Sequence, residues 1–225
     1  MALSLRLQTI LNYARGCEIL ADIGTDHAYL PIEAVATGAC RRAIACDLNN
    51  GPLEIAAANI KAAGFCDKIE TRMGNGLTPL RENEADCISI SGMGSTTMWD
   101  ILQAEPTKAK SANWLILQPQ HDYLDTFRKN LHGAGYKIEA EKLVLEDSRF
   151  YVVLLASHVG KVAPWSEKEH FVGKYLHESP HFMEYLEYHK NKIARYIQAV
   201  SDSDARQLAE TRLKWIEENR KQAQQ

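Results

Sequence analysis

The spacing of hydrophobic residues divides the first 160 positions into short apolar runs separated by stretches of helical periodicity. The runs are typical of buried strands, and five of them lie at residues 18–23, 41–48, 67–73, 85–90 and 114–117. Between them apolar residues recur every three or four positions, as in Leu53, Ala56 and Ile60 after the second run. Strands that alternate with helices predict a parallel sheet covered by helices.

Two further apolar stretches, 136–145 and 150–157, lie too close together for a helix to connect them. The polar turn at residues 146–148 joins them, which predicts an antiparallel hairpin. A helical pattern over residues 3–15 precedes the first strand. We therefore predict an α/β fold, with a doubly wound Rossmann-like sheet that ends in an antiparallel C-terminal hairpin.

The composition of the chain changes near Pro164, and no later stretch resembles a strand. Apolar residues return at helical spacing over 182–200, and a second helical pattern follows the polar break at 201–204. Two helices joined by a short turn predict a helical hairpin with a coiled-coil-like seam. We expect one domain over residues 1–160 and an independent helical, coiled-coil-like domain over residues 161–225.

The composition of the 225 residues is that of an ordinary globular protein, with 45% hydrophobic and 24% charged residues. Polar side chains interrupt residues 1–16, so no signal peptide is predicted, and no apolar run reaches membrane-spanning length. The five cysteines lack metal-ligand spacing, which predicts reduced thiols, no metal site and a cytoplasmic protein. The net charge of −3 argues mildly against a nucleic-acid partner until its distribution is considered.

The end of the first strand carries the most informative polar residues. Gly24 provides a position without Cβ, which is favoured where a tight turn brings the backbone close to a ligand. Two carboxylates, Asp22 and Asp26, would repel the pyrophosphate that a glycine-rich dinucleotide loop cradles. They suit a ligand that carries an amino group and hydroxyls, such as S-adenosylmethionine.

Three more strand ends supply candidate contacts, because open parallel sheets bind ligands at the carboxyl ends of their strands. Asp47 could accept hydrogen bonds from both ribose hydroxyls, and Asn75, between two glycines, could present its amide to the adenine edge. Alone, Asp47 could be an N-cap acid, Gly74-Asn75-Gly76 is as typical of a tight turn, and Gly92-Met93-Gly94 is typical of a loop, but together they favour a pocket. The predicted cofactor-binding residues are Asp22, Gly24, Asp26, His27, Asp47, Leu48, Gly74, Asn75, Gly76, Ser91, Gly92 and Met93.

The most specific motifs are ADIGTDHAYLP at 21–31, SGMGS at 91–95 and LILQPQ at 115–120. In these motifs the chain resembles the bacterial tRNA (adenine-22-N1)-methyltransferases, a family of class I S-adenosylmethionine-dependent enzymes. The resemblance extends over nearly the whole chain. The chain has Ser95 where the family commonly has a second glycine, and Gln120 where an asparagine often stands, so neither is predicted to be a general catalytic group.

The resemblance implies methyl transfer from S-adenosyl-L-methionine to N1 of adenine 22 in tRNA. Because adenine N1 carries no proton, a strong general base is not required, and positioning and electrostatics can supply most of the acceleration. The predicted catalytic residues are Asp26 and His27 beside the first strand and Gln118 at the end of the fifth. An alternative for His27 is that it only caps the helix or orients Asp26.

An RNA substrate requires positively charged surface, and an adenine inside folded tRNA must be flipped to expose N1. Basic and acidic residues are equal in number after residue 165, so the tail is neutral within a chain of negative net charge. The predicted RNA contacts are Arg6, Arg149 and Tyr151 in the first domain, with Lys190, Lys192 and Arg195 in the tail. The tail residues fit a solvated helix face equally well.

Two other functions compete with this prediction. The first is methylation of another RNA site or of a small molecule, with the helical tail as a lid or a dimer contact. The second is a non-catalytic RNA-binding protein that retains a cofactor pocket, which the competent pocket residues disfavour. The oligomeric state stays open, with a monomer favoured.

Overall fold

A seven-stranded mixed sheet forms the centre of the computed structural model, which describes residues 3–120 and 123–222. Its strands are β1 (Cys17–Ile23), β2 (Cys40–Asp47), β3 (Ile69–Met73), β4 (Cys87–Met93), β5 (Trp114–Pro119), β6 (Tyr136–Glu146) and β7 (Arg149–His158). The strand order is β3-β2-β1-β4-β5-β7-β6. Strands β1 to β5 run parallel, whereas β7 is antiparallel to both β5 and β6. The predicted fold class is confirmed.

Helices cover both faces of the sheet and create two hydrophobic cores. The helices of the first part are α1 (Leu5–Tyr13), α2 (Tyr29–Ala36), α3 (Asn50–Ala63), α4 (Ser95–Ala104), α5 (Pro106–Ser111) and α6 (Leu124–Gly133). Buried residues of α1, α2 and α3 share one core, and those of α4, α5 and α6 share the other. Alternate residues of β1 enter the two cores, since Leu20 belongs to the first and Ala21 to the second.

Three local features differ from the sequence-based prediction. Strand β4 extends to Met93, so Ser91, Gly92 and Met93 belong to the end of the strand rather than to a loop after it. The short helix α5 begins at Pro106 and has too few residues to show a helical period. Helix α7 (Glu167–Val172) is equally short, but its capping box of Ser166 and Glu169 is a recognisable start signal.

The tail continues with a 3₁₀ turn (Leu176–Glu178), α8 (Phe182–Ala199) and α9 (Ser203–Gln222), which confirms the predicted helical hairpin. Its first half shares the core of the sheet, because Leu176, Phe182 and Leu186 are buried in the cluster that also contains Phe127 and Leu154. Ile216 of α9 joins the same cluster. The division into two domains at residues 160/161 stays a prediction, and these contacts provide a physical basis for testing it.

A buried ion pair also connects the tail to the sheet. Arg128 of α6 is completely buried and donates from Nε to Oε1 of Glu141 on β6 at 2.7 Å. It also donates from Nη1 to the backbone carbonyl of His170 at 2.8 Å, while Glu141 Oε2 accepts from the amide of Tyr175 at 3.2 Å. Removing one partner of such a pair leaves an uncompensated buried charge, which costs about 3–5 kcal/mol.

Within the described ranges, no helix combines the length and the apolar character needed to cross a membrane.

Candidate active site

Backbone hydrogen bonds connect the loops at the carboxyl edge of the parallel strands. The amides of Gly24 and Thr25 both donate to the carbonyl of Cys46 at 2.8 Å, which ties the end of β1 to the end of β2. The amide of Gly74 donates to the carbonyl of Asp47 at 2.9 Å, and the amide of Gln120 donates to that of Met93 at 2.8 Å. The predicted site residues at the ends of five strands are therefore brought to one edge.

The turn after β1 is sterically restricted. Gly24 has φ +72°, and a Cβ at this position would lie 2.1 Å from Cε of Met93 at the end of β4. His27 and Ala28 also have positive φ, 58° each, so two non-glycine residues adopt a left-handed conformation before α2 begins at Tyr29. Such backbone strain is concentrated at functional sites. The sequence pattern did not indicate it, because helical spacing already begins at Ala28.

Asp22 is a buried carboxylate, with 5% of its surface exposed. Its pKa is about 6 instead of the 3.8 of a solvated aspartate, mainly because of burial and in smaller part because of the charge of Asp26. The buried hydroxyls of Thr25 and Ser89 partly offset this rise in pKa, although neither makes a hydrogen bond of good geometry. The positive charge of Arg6 also lowers the pKa. A buried acid of this kind suits the amino group of a ligand, which would compensate its charge.

This buried charge predicts a pH-dependent cost in stability. Because the pKa of Asp22 is higher in the folded chain, the free energy of unfolding falls as pH rises from about 4 through about 6. The cost above pH 7 is up to about 3 kcal/mol. We expect Asp22→Asn to raise the melting temperature of the cofactor-free protein by several degrees at pH 7.5 and very little at pH 4. Equal shifts at both pH values in thermal denaturation would contradict this assignment.

Asp26 and His27 lie at the rim of the site and contact each other. His27 Nε2 is 3.0 Å from Oδ1 of Asp26, whose side chain is 85% exposed. The His27 ring stacks on Tyr29 with a centroid distance of 5.5 Å, and its backbone carbonyl accepts from Asn59 Nδ2 at 3.0 Å. Asp26 and His27, two of the three predicted catalytic residues, are thus held together at the surface, where an incoming base could reach them.

The ends of β2 and β3 form a polar corner with apolar walls. Asp47 Oδ1 accepts from the amide of Asn49 at 2.7 Å, which orients the carboxylate. Leu48 and Met73 are 61% and 66% exposed, large values for apolar side chains and suitable for packing against a planar ring. Sequence reasoning missed Met73, although it immediately precedes the predicted Gly74-Asn75-Gly76 turn.

The two glycines of this turn are required by packing. A Cβ at Gly74 would lie 2.8 Å from Cδ of Pro79, and one at Gly76 would lie 2.9 Å from Cγ2 of Ile101. Asn75 between them is exposed, and its carbonyl accepts from the amide and the hydroxyl of Thr78. The backbone around Asn75 is therefore fixed while its side chain faces outward.

Gln118 is enclosed at the end of β5, with 1% of its surface exposed. Its Oε1 accepts from Arg6 Nη1 at 2.8 Å and from the amide of Gly92 at 3.2 Å, and its Nε2 donates to the carbonyl of Pro119 at 2.9 Å. The Arg6 guanidinium lies over the ring of Tyr151, 5.6 Å from its centroid. The structure thus brings together a predicted catalytic residue and two predicted RNA contacts. A direct contact of Gln118 with the adenine edge stays a prediction.

The remaining predicted RNA contacts lie on two elements. Arg149 is exposed at the start of β7, which is the carboxyl edge of the sheet because β7 runs antiparallel to β5. Lys190, Lys192 and Arg195 lie on α8. Lys192 lines an open groove of about 700 Å³ between α8, α9 and the start of α6, together with Tyr123, His189, Tyr196 and Arg212.

Sequence reasoning missed the aromatic side of this groove. Tyr123 is 70% exposed and Tyr196 is half exposed, and the first follows β5 after a short connection. Their distance in sequence hides their proximity, but a tyrosine a few residues after a strand end was a detectable signal. Arg212 forms an ion pair with Asp125, and Arg220 pairs with Glu187, so these two tail cations have acidic partners.

Residues 3–154 match the family model described as a methyltransferase domain. A Bacillus subtilis (strain 168) protein named tRNA (adenine(22)-N(1))-methyltransferase is 37% identical over 156 residues, which are 69% of this chain and 65% of that protein. A structure of Sp1610 from Streptococcus pneumoniae, a candidate tRNA (m1A22) methyltransferase, is 31% identical with a TM-score of 0.88. The alignment covers 97% of this chain and 100% of Sp1610. The chain belongs to the tRNA (m1A22) methyltransferase family.

Solved members of this family have been obtained with ligands. The Sp1610 structure contains S-adenosyl-L-methionine. M. capricolum TrmK was solved with the cofactor product S-adenosyl-homocysteine, and it is 25% identical with a TM-score of 0.85 over 98% of this chain and 99% of its own. The resemblance drawn from the motifs is confirmed. The sequence match spans just under two thirds of the B. subtilis protein.

Proposed function

We propose that this chain transfers a methyl group from S-adenosyl-L-methionine to N1 of adenine 22 in tRNA. The observation that carries the proposal is the arrangement at the carboxyl edge, where the carboxylates of Asp22 and Asp47 flank a turn in which Gly24 has φ +72° and approaches Met93 closely. The Sp1610 structure, which contains that cofactor and aligns over 97% of this chain, supports the same conclusion.

The residues present fit this cofactor, which supplies the reactive methyl group when bound. Asp47 would accept from the ribose hydroxyls, with one carboxylate oxygen already oriented by Asn49. Asp22 would face the methionine amino group, and Gly24 would allow the close approach of the backbone. Leu48 and Met73 would pack on the adenine ring, with Asn75 at its edge.

The side of the pocket at β4 and β5 would receive the target base. Ser91, Gly92 and Met93 continue the strand to this point, and Gly92 has φ +75°. The target nitrogen has no proton to lose but gains positive charge as it is methylated, so a nearby carboxylate stabilises the charge that develops. Asp26, which is exposed at the rim and contacts His27, would take this role.

Two substitutions at the rim separate an electrostatic role from cofactor binding. If Asp26 acts mainly on the developing charge, we expect Asp26→Asn to lower the methyl-transfer rate about tenfold while cofactor affinity falls less than threefold. We expect His27→Ala to cause a moderate loss, because no proton must be removed. Single-turnover kinetics and calorimetry measure the two quantities. Abolished turnover in His27→Ala with normal binding of cofactor and tRNA would instead make His27 an acid–base residue.

The features of the tail favour a large, charged substrate over a small molecule. Its groove combines exposed aromatic rings with Lys192, a combination that suits RNA bases and phosphates. Lys190 and Arg195 on the same helix, and Arg149 at the sheet edge, would add phosphate contacts. A small-molecule enzyme with the tail as lid is disfavoured, because Leu48 and Asp26 remain largely exposed at the edge that a lid would cover.

Methylation assays test the proposed substrate class. The protein is incubated with labelled cofactor and, separately, with unmodified tRNA, an unrelated RNA duplex or a mixture of small-molecule acceptors. We expect label in the tRNA and in neither of the others. Label in the small-molecule fraction without RNA would favour the alternative methyltransferase, and cofactor binding without any transfer would favour the non-catalytic RNA-binding protein.

A further inference from the structure

Arg6 is a cation that the first helix places beside the candidate acceptor side of the pocket. Its Nη1 donates to Gln118 Oε1 at 2.8 Å, and its guanidinium packs over Tyr151. The same Gln118 oxygen accepts from the amide of Gly92, so Arg6 is indirectly linked to the end of β4. A Cβ at Gly92 would lie 4.0 Å from Arg6 Nη1, which places the guanidinium next to this strand end.

Gln118 has little capacity left for a substrate. Both lone pairs of Oε1 are used by Arg6 and Gly92, one proton of Nε2 is used by the carbonyl of Pro119, and the side chain is almost fully enclosed. Its hydrogen bonds fix the orientation of Arg6 instead. Tyr151 fixes the other side of the guanidinium through a cation–π contact.

Arg6 retains hydrogen-bond donors that a ligand could use. Within residues 3–120 and 123–222, the Arg6 side chain makes one hydrogen bond, to Gln118. Its Nε and Nη2 therefore have no acceptor among these residues. The side chain is partly exposed. A planar guanidinium that is held on two sides and has further N–H groups without a described acceptor is suited to bind an oxyanion with two parallel hydrogen bonds.

The positive charge that the adenine ring gains on methylation indicates which part of the substrate Arg6 binds. Methylation makes the adenine ring cationic, and a guanidinium in contact with the ring would oppose that change by charge repulsion. Contact with the ring is therefore unfavourable, whereas a phosphate compensates the charge of Arg6. Arg6 packs against Gln118 of β5 and Tyr151 of β7, on the opposite side of β4 from the β1 turn that would hold the methionine moiety.

We propose that Arg6 binds a backbone phosphate of the target nucleotide, and that Gln118 and Tyr151 are positioning residues that hold its guanidinium. This inference rests on the proposed tRNA substrate. Helix α1 lies outside the alternating pattern of strands and helices. In this inference α1 binds the flipped nucleotide at the pocket entrance through Arg6.

Arg6→Gln tests the phosphate contact, with Arg15→Gln as its matched control. Arg15 lies just after the same helix and is exposed at the opposite edge of the sheet, with Nε donating to Asn12 at 3.3 Å. Binding of tRNA is measured by fluorescence anisotropy at several salt concentrations. We expect Arg6→Gln to reduce the slope of log affinity against log salt by about one and to raise KM for tRNA about tenfold. Arg15→Gln should leave both quantities within twofold of the wild type.

Two further variants distinguish positioning from charge. Arg6→Lys keeps the cation but loses the planar fork, so it should retain the salt slope while KM rises severalfold. Gln118→Met should also raise KM for tRNA, and its effect should be strongly non-additive with that of Arg6→Gln, because both act through one contact. Additive effects of the two substitutions would overturn the positioning role.

The outcomes separate this inference from the proposed function. A wild-type protein that does not methylate tRNA refutes the proposed function and with it the phosphate contact. A wild type that methylates tRNA, together with an Arg6→Gln variant of unchanged salt slope and KM, overturns the inference alone. A loss of more than fivefold in S-adenosylmethionine affinity, with tRNA binding intact, would assign Arg6 to the cofactor carboxylate and also overturn it.

Discussion

Replacing Asp47 with alanine is expected to weaken S-adenosylmethionine binding about 100-fold without unfolding the protein. The carboxylate ends β2, and one of its oxygens is already oriented by the amide of Asn49. Hydrogen bonds to a charged group contribute about 1.5–3 kcal/mol each, so losing the acceptor of two ribose hydroxyls removes about 3 kcal/mol of binding free energy. Isothermal titration calorimetry measures this loss directly.

Two companion variants make the Asp47 result interpretable. Asp47→Asn keeps the shape and one acceptor oxygen, so we expect a loss of about tenfold in cofactor affinity. Asp67→Ala removes the same charge from an exposed loop before β3, at the amino edge of the sheet, and should bind the cofactor normally. Unchanged affinity in Asp47→Ala, with a normal melting temperature, would refute the assignment of the ribose site.

A chain that ends at residue 160 is expected to lose most of its stability. The sequence predicts an independent tail, but Leu176, Phe182 and Leu186 are buried in the core under the sheet. Each such side chain contributes about 2 kcal/mol, and the truncation also removes the carbonyl that Arg128 bonds. This loss is comparable with the total stability of a typical domain, about 5–15 kcal/mol.

A second truncation shows which part of the tail matters. A chain that ends at residue 202 loses α9 but keeps α7, the 3₁₀ turn and α8, so Arg128 retains its contact with His170. We expect this variant to fold with reduced stability, because it still loses the buried Ile216. Urea denaturation and calorimetric binding of the cofactor compare the two variants. Cooperative unfolding and full cofactor affinity in the shorter chain would support the independent domain predicted from the sequence.

The sequence was most informative where chemistry is local. The strand ends could be located because apolar runs stop near Asp22, Asp47 and Ser91, and parallel topology then brings such ends to one edge. The glycine at position 24 was predicted from turn geometry, and the structure adds the close approach of Met93. These features depend on a few adjacent residues, so a single sequence contains the relevant signal.

Contacts between distant segments could not be derived in this way. Arg6 and Gln118 are 112 positions apart, and their hydrogen bond depends on how α1 packs across β6 and β7. The raised pKa of Asp22 depends on the depth of its burial, which periodicity does not measure. The burial of Leu176 under the sheet was hidden because the short elements of residues 165–178 show too few turns to display a pattern.

Mapping the methylated position in tRNA tests the central claim most directly. Two transcripts of one tRNA, the natural sequence and a version in which adenine 22 is replaced by guanine, are incubated with the protein and S-adenosylmethionine. Mass spectrometry of the digested RNA then identifies and locates the modified nucleoside. We expect N1-methyladenosine at position 22 of the natural transcript and no methylation of the other. Methylation at another position, or equal incorporation into both transcripts, would contradict it.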